Sequence, residues 1–528
     1  MDWLWILVRA TACAIGLFWG GAVVNAGDVV VDPEDVTRNG SGPLMLPDVT
    51  GHKSNPDLPT VDPVVQDPEA KLLSGLVARG TSQGFDGILY ENRDREHSSL
   101  PPTLFPNLTF LKYDDALVKH GLDYGYAGAI LIPSLVFGNS STAHTGGTRP
   151  RSLVRNAMTT AGGAAVAFRD YVNNSIYVYP EHRDHDAVDL YPANWPYTIT
   201  SQGSSRSDKP FMKAVAMTLA AFPPDTRAAL EASGLIAPTV QMILRRNLTL
   251  VRTQKHYRSP LAHPSVFSGD RLRIGRMIGQ AAALRPEDIP PLVRLRVLSE
   301  GFQRKAGIAS LDEHLFTTPS AISRVWRSLA WEQDMVVSTE PTKDPNGRAL
   351  SFHWVLLRGD PDRVRIEPLD PDGTSARITI NWHDPLTLRS DDSEENANRQ
   401  SSRVDIGVFA WNGRTDSAPA FISVSFPTHQ EREYAPAANG TQKIASVNFD
   451  ALGREESFDP ALHWSAPWTD TFAYSEDGDL VGWVRIEAGR ATEFLADGGR
   501  ADGASFDYLL EENANRVPIL MMKSAETD

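Results

Sequence analysis

Cysteine is nearly absent from this chain of 528 residues, with Cys13 the single example. It lies in an N-terminal apolar run, so the sequence behind it offers no disulfide, no thiolate metal site and no cysteine nucleophile. Positive charge is also short: 51 Lys and Arg against 66 Asp and Glu give a net charge of −15, which argues against generic nucleic-acid binding. Aromatic residues are missing altogether from 27–78, where nine acids and seven prolines stand against three basic residues. That segment has too little apolar surface to offset chain entropy and reads as an extended spacer, with an arm packed along a neighbouring domain as the alternative. Beyond it no apolar run is long enough to suggest a membrane span.

The apolar run at the start is preceded by Arg9 and closes on Val24-Asn-Ala. This is the pattern of a signal peptide over 1–26 and implies a secreted chain, periplasmic or extracellular, with no stable membrane span after cleavage. The remaining length predicts about three domains. Between Gly84 and Leu329 short β-like runs alternate with helical ones, which predicts a mixed α/β or α+β domain over 79–330. Asp208 can cap a helix with Pro210 in its first turn, running over 211–222; a second, over 225–233, stops at Gly234. Pro238 opens a third, through Leu250, with Arg245 and Arg246 expected on its surface, and Thr318-Pro319 predicts a fourth over 320–329.

From Met335 the period changes to two, with Leu350, Phe352, Trp354 and Leu356 on one face and similar alternation at 377–382, 404–410 and 420–426. An immunoglobulin-like β-sandwich over 335–434 is the economical reading, followed by a small hairpin-rich β region over 440–528. The segment Lys343-Asp-Pro-Asn-Gly-Arg-Ala-Leu-Ser-Phe-His-Trp, with Gly359-Asp-Pro-Asp-Arg-Val-Arg-Ile after it, resembles the opening of PKD-like and cadherin-like immunoglobulin-fold modules of secreted bacterial proteins. Phe352 stands where those modules carry Tyr. The resemblance implies fold rather than activity, although such modules accompany polysaccharide-active enzymes.

Three polar constellations could carry chemistry. In Tyr179-Pro-Glu-His-Arg-Asp-His-Asp, the nitrogen and oxygen donors His182, Asp184, His185 and Asp186 could hold a divalent metal, with His185 and Asp186 also candidate catalytic groups; a salt-bridged loop is the plain alternative. The strand running into Gly138-Asn-Ser-Ser resembles the Gly-Asp-Ser turn of GDSL-type esterases: Asn139 replaces the Asp, Ser140 aligns with the nucleophile and Ser141 follows as a binding residue. A capping turn explains it as well. Gln202-Gly-Ser-Ser-Arg, ahead of the 211–222 helix, offers N–H donors and Arg206 to an anion. There Gln202, Gly203 and Ser205 are candidate binding residues and Ser204 a second candidate nucleophile, against simple capping by Ser207 or Asp208.

The turn lacks the Gly-Lys-Ser/Thr ending of a nucleotide loop, so no nucleotide cofactor is expected, and none bound through a thiol. Over 245–305 thirteen Lys and Arg face four acids, a basic island suited to an anionic polymer through Arg245 and Arg246, or merely solvated helix faces. Together these features predict a secreted hydrolase, metal-assisted, acting on a polymeric and anionic carbohydrate. The competing expectation is a non-catalytic surface protein that binds a polysaccharide or cell-surface glycan.

Overall fold

The computed structural model describes residues 27–38, 44–46, 48–125, 130–140, 143–144, 151–182, 191–387, 400–437, 440–451, 462–512 and 517–524. The expected signal segment, 1–26, lies outside them, as do Ser141, Asp184, His185 and Asp186.

In the N-terminal region, β1 (Asp28–Val31), β2 (Leu89–Asn92), β3 (Thr109–Tyr113), β4 (Val136–Asn139), β5 (Ser175–Pro180) and β6 (Thr198–Ser201) form one parallel sheet in the order β1-β3-β2-β4-β5-β6. A sheet covered on both faces has no solvent side to write an alternating pattern. Accordingly β5 reads Ser-Ile-Tyr-Val-Tyr-Pro and is buried at every residue. Helix α1 (Pro68–Ala78) begins where the Asp67 carboxylate accepts from the Ala70 amide at 2.7 Å, and it buries Leu73 and Leu76. Helix α2 (Gly163–Tyr171) leads into β5, and α3 (Lys209–Ala221) follows β6 and buries nearly its whole circumference. Helix α4 (Pro224–Ser233) ends at Gly234, whose φ of 66° supplies the left-handed turn. A Cβ there would also sit 2.3 Å from the Val172 carbonyl oxygen. Helices α5 (Ile236–Arg246) and α6 (Ile274–Ala283) complete the layer.

The C-terminal part is built from largely antiparallel sheets. One holds β7 (Arg296–Glu300), β10 (Glu332–Ser338), β13 (Ser375–Asn381) and β12 (Val364–Pro368) in that order. A second holds β8 (His314–Thr318), β9 (Ala321–Val325), β15 (Ala420–Ser425), β14 (Arg403–Trp411) and β11 (Ser351–Arg358). Side chains from both sheets share one core, among them Met335, Ile378, Val404, Ile422 and Trp326, the last stacked on Phe426 at 5.1 Å. Beyond them lie a five-stranded sheet, β16 (Glu431–Pro436), β17 (Gln442–Asn448), β18 (Trp468–Tyr474), β19 (Leu480–Glu487) and β20 (Arg490–Leu495), and a hairpin of β21 (Phe506–Glu512) with β22 (Pro518–Ser524).

Three expectations are corrected here. Residues 27–78 are not a spacer: β1 pairs with β3, and α1 packs in the main core, because four residues of strand and two buried leucines are enough when an existing sheet and helix layer supply the rest of the apolar surface. Residues 320–329 are not a helix. Ala321–Val325 is a strand, pairing parallel with Ala420–Ser425 and antiparallel with His314–Thr318, and the β-branched Ile322 and Val325 suit it. Consequently the α/β region ends near 290 rather than 330, since β7, β8 and β9 belong to the C-terminal sheets.

Candidate functional site

The connections out of β2 and β4 leave the sheet in opposite directions, toward β3 on one side and β5 on the other. In an open parallel sheet, that reversal parts the loops at the carboxyl ends of the two strands and leaves a crevice. Asn92 and Asn139 end these strands and sit opposite each other in register.

Beneath the crevice lies a buried polar network. The Tyr90 hydroxyl donates to Asn139 Oδ1 at 2.6 Å and accepts from the Leu100 amide at 3.1 Å. Asn139 Nδ2 donates to the Ser98 carbonyl at 2.5 Å and to Asp208 Oδ2 at 3.0 Å, and the Ser98 hydroxyl donates to Asp208 Oδ1 at 2.6 Å. Asn92 Oδ1 accepts from the amides of Asp94 and Glu96 at 3.1 and 2.9 Å, and Asp94 Oδ2 accepts from the Ser98 amide at 2.8 Å. Asp208 is fully buried, and burial raises its pKa against the hydrogen bonds from Ser98 and Asn139. It occupies the helix-capping position the sequence assigned to it but makes no side-chain cap bond, its carboxylate turning to Ser98 and Asn139 instead.

On the opposite face, Gly138 allows the Tyr177 ring to lie over β4, where a Cβ would approach to 2.7 Å of it. Tyr177 then donates to Glu91 Oε2 at 2.6 Å, Tyr113 donates to Glu91 Oε1, and Arg93 pairs with the same oxygen at 3.1 Å. Asp170, on α2, belongs to this face: burial lifts its pKa to about 7, against the pull of Arg169 at 3.3 Å and of Arg93. Between the ordinary aspartate value and about pH 7 the unfolded carboxyl is ionised while the folded one keeps its proton. The group therefore makes the fold less stable as pH rises through that window, by at most about 4 kcal/mol. We expect wild-type melting temperature to fall from pH 5 to pH 8 and Asp170→Asn to flatten that slope; equal slopes in calorimetry would contradict the assignment.

All three sequence motifs reach this carboxyl edge. Asn139 and Ser140 end β4, Glu181 and His182 follow β5, and 202–206 follow β6, the three strands being neighbours. Among the described residues of the α/β region, four of the five non-glycine residues with positive φ lie in loops on this edge: Arg95 (56°), Glu96 (63°), His182 (48°) and Arg206 (80°). Strain of this kind concentrates where geometry serves a ligand.

The individual roles change, however. Asn139 is an internal strut rather than a ligand donor, and Ser140 is buried with its hydroxyl directed to the Arg93 carbonyl at 3.3 Å. A hydroxyl so placed does not present a nucleophile. Nor is the 202–206 turn an open anion nest: the Gln202 amide donates to the Phe267 carbonyl and the Gly203 amide to Glu181 Oε1 at 3.1 Å, so a carboxylate of the chain takes the anion's place. Ser204 and Arg206 are exposed there, Ser205 half-buried. Arg245 is buried, not on the surface, because α5 packs between the parallel sheet and the C-terminal strands; its guanidinium lies over Phe267 and Phe421, and burial lowers its pKa to about 10. Arg246 keeps contact with solvent. Among the described residues no three His, Cys, Asp or Glu come together as metal ligands, while three of the four expected ligands fall outside them.

Asn92, Asp94 and Ser98 escaped the reading of the sequence. The signal was the burst Glu91-Asn-Arg-Asp-Arg-Glu-His directly after the apolar Ile88-Leu-Tyr, charge placed where a buried strand ends.

No family model matches this chain, and no curated protein is similar to it. Among solved structures it is similar to a nucleoside hydrolase-related hypothetical protein from Saccharophagus degradans associated with carbohydrate metabolism, at 10% identity over 55% of this chain and 71% of that one, with a TM-score of 0.18. A likeness at that level carries no argument about activity. In its own right, the chain is a mixed α/β region with a parallel sheet, joined to a C-terminal part made largely of antiparallel sheets.

Proposed function

We propose that the protein is an exported hydrolase whose crevice, at the carboxyl ends of β2 and β4, receives a carbohydrate. The observation that carries this reading is that Asp94, Glu181 and Asp208, all three buried, stand on the one edge of the sheet where the strand order reverses. With cysteine unavailable and Ser140 turned inward, carboxyl groups are the acid and base that this edge offers. Asp94 and Glu181 are the catalytic candidates, and Asp208 positions Ser98 and Asn139. The divalent metal at His182 and His185 remains part of the proposal, supported by the position of His182 on the same edge. The C-terminal sheets, read as an immunoglobulin-like module, serve to position the crevice on a polymeric substrate.

Reducing-end release from a panel of neutral and acidic polysaccharides tests the reading. Asp94→Asn and Glu181→Gln are each expected to lower kcat/KM at least about 100-fold, the lower end of the range for loss of an acid or base. Their melting temperatures are expected to stay near that of wild type. Binding of a glycan without turnover by any preparation would favour the non-catalytic surface protein instead. Metal content of the wild type against His182→Ala, His185→Ala decides the metal: equal background in both removes it.

A further inference from the structure

A second cleft opens where the α/β region meets the C-terminal strands, away from the network under Asn92 and Asn139. Its volume is about 240 Å³, space for one sugar ring, and Arg246, Gln254, Gln280, Trp411, Arg414 and Asp416 are among its walls. Charge in it does not balance. Asp416 is the single carboxylate of the lining, and its oxygens are taken by Arg258, through Nε at 2.8 Å and a second nitrogen at 2.5 Å, and by Gln254 at 3.1 Å, while Arg414 pairs at 2.8 Å with Asp288 from outside the lining. Arg246 is left 4.0 Å from it, with a buried guanidinium nitrogen that has no hydrogen-bond partner among the described residues. Arg252, Arg273 and Arg276 crowd the same helix end; burial and these positive neighbours, Arg246 included, together lower the pKa of Arg276. In a chain with a net charge of −15, this is a concentrated positive field with too few internal anions to answer it.

The other walls complete a recognisable chemistry. Trp411 and Tyr257 bring indole and phenol rings to the lining. Arg258 lies over Trp411 at 5.7 Å and Arg246 over Tyr257 at 5.3 Å, which holds both rings in place. The Gln280 amide nitrogen faces only the Met242 sulfur at 3.4 Å, a weak acceptor that a hydroxyl would readily replace. An oxyanion on Arg246, which Arg414 could reach by sharing its bond to Asp288, hydroxyls on Gln254 and Gln280, and an apolar ring face against Trp411 describe one occupant.

We propose that this interdomain cleft binds a single sugar unit bearing an oxyanion, either the carboxylate of a uronic acid or a sulfate ester, and so anchors an acidic glycan at a distance from the crevice. The proposal names the substrate class for the carbohydrate reading above and rests on it, but it stands on different residues. Because the cleft spans both parts of the chain, a glycan seated there touches each of them. That is the arrangement by which the C-terminal part would help hold a polymer.

The test is calorimetric titration of the full chain with three oligosaccharides of equal length: a trigalacturonate, a sulfated counterpart and a neutral one. One or both acidic sugars are expected to bind, more weakly as salt rises, and the neutral sugar is expected not to; which acidic arm binds identifies the oxyanion. Arg246→Gln, Arg414→Gln and Trp411→Ala are each expected to weaken binding roughly tenfold or more, the scale of one charged hydrogen bond or one ring face. Asp94→Asn and Glu181→Gln are expected to bind as wild type does, so loss of turnover there and loss of binding here are separate results. Failure of both acidic sugars to bind, equal binding of the neutral one, or unchanged affinity in all three cleft variants with unaltered melting temperatures would overturn the proposal.

Discussion

Asp405→Ala is expected to cost about 3–5 kcal/mol of folding free energy, the range for removing one member of a buried ion pair. Asp405 sits on β14 with Arg403, whose Nε and second nitrogen reach its two oxygens at 2.8 and 2.9 Å, and Arg358 approaches to 3.4 Å. The Ser423 hydroxyl donates to the same carboxylate at 2.6 Å. Burial opposes its ionisation, yet the two guanidiniums hold its pKa below the ordinary value. Alanine would strand both cations in a dry interior. It would also loosen the junction, because Arg403 donates to the Tyr191 carbonyl and to Ser265 in the α/β region. The depressed pKa fixes the sign with pH: the wild-type contribution is complete above the unfolded aspartate value and is lost as pH falls through the folded one. Urea titrations at neutral and acidic pH check both statements. A loss below about 1 kcal/mol, typical of an exposed pair, would show that solvent reaches the group.

Gly138→Ala is expected to cost about 3 kcal/mol, the upper part of what overpacking exacts. The φ of Gly138 is not positive, so the demand is for space: an added Cβ would lie 2.4 Å from the Glu91 carbonyl oxygen and 2.7 Å from the Tyr177 ring. Neither neighbour yields easily. The carbonyl belongs to the adjacent strand, and the ring is held by its bond to Glu91. The variant must therefore push β4 away from β2, and that movement carries Asn139 from Asn92. Hydrolysis and stability are expected to fall together, unlike in the Asp94→Asn variant. A Gly138→Ala protein with unchanged unfolding midpoint would show that the two strands can separate freely.

Much of the helical layer was legible because its punctuation is local. Asp208 with Pro210 marked the start of α3, and Gly234 marked the end of α4 within a residue. The parallel sheet was only half legible, since a strand buried on both faces, such as β5, carries no period to separate it from a helix. The same blindness, joined to a misleading Thr-Pro-Ser start signal, turned Ala321–Val325 into an expected helix. One partner, Ala420–Ser425, lies about a hundred residues on, and the other, His314–Thr318, precedes it across the short Pro319-Ser320 turn, a hairpin that the helix reading overlooked. The polar motifs singled out in the sequence fall on one edge of the sheet, and there the fold turns Asn139 and Ser140 inward. Asn139 and Ser140 are polar residues of the kind that line a pocket, but only the fold shows Tyr90, Ser98 and Asp208 closing around the amide. Arg245 misled for the converse reason: a charge predicts exposure until the second layer that covers it is known.

The parallel pairing of Ala321–Val325 with Ala420–Ser425 sets an order of events at the ribosome. The earlier strand emerges about a hundred residues before its partner, an interval of roughly 5–20 s at ordinary rates of synthesis. During that interval the α/β region can already close on itself, while an apolar strand edge beside it waits unpaired. A nascent chain paused there would present the kind of surface that chaperones hold.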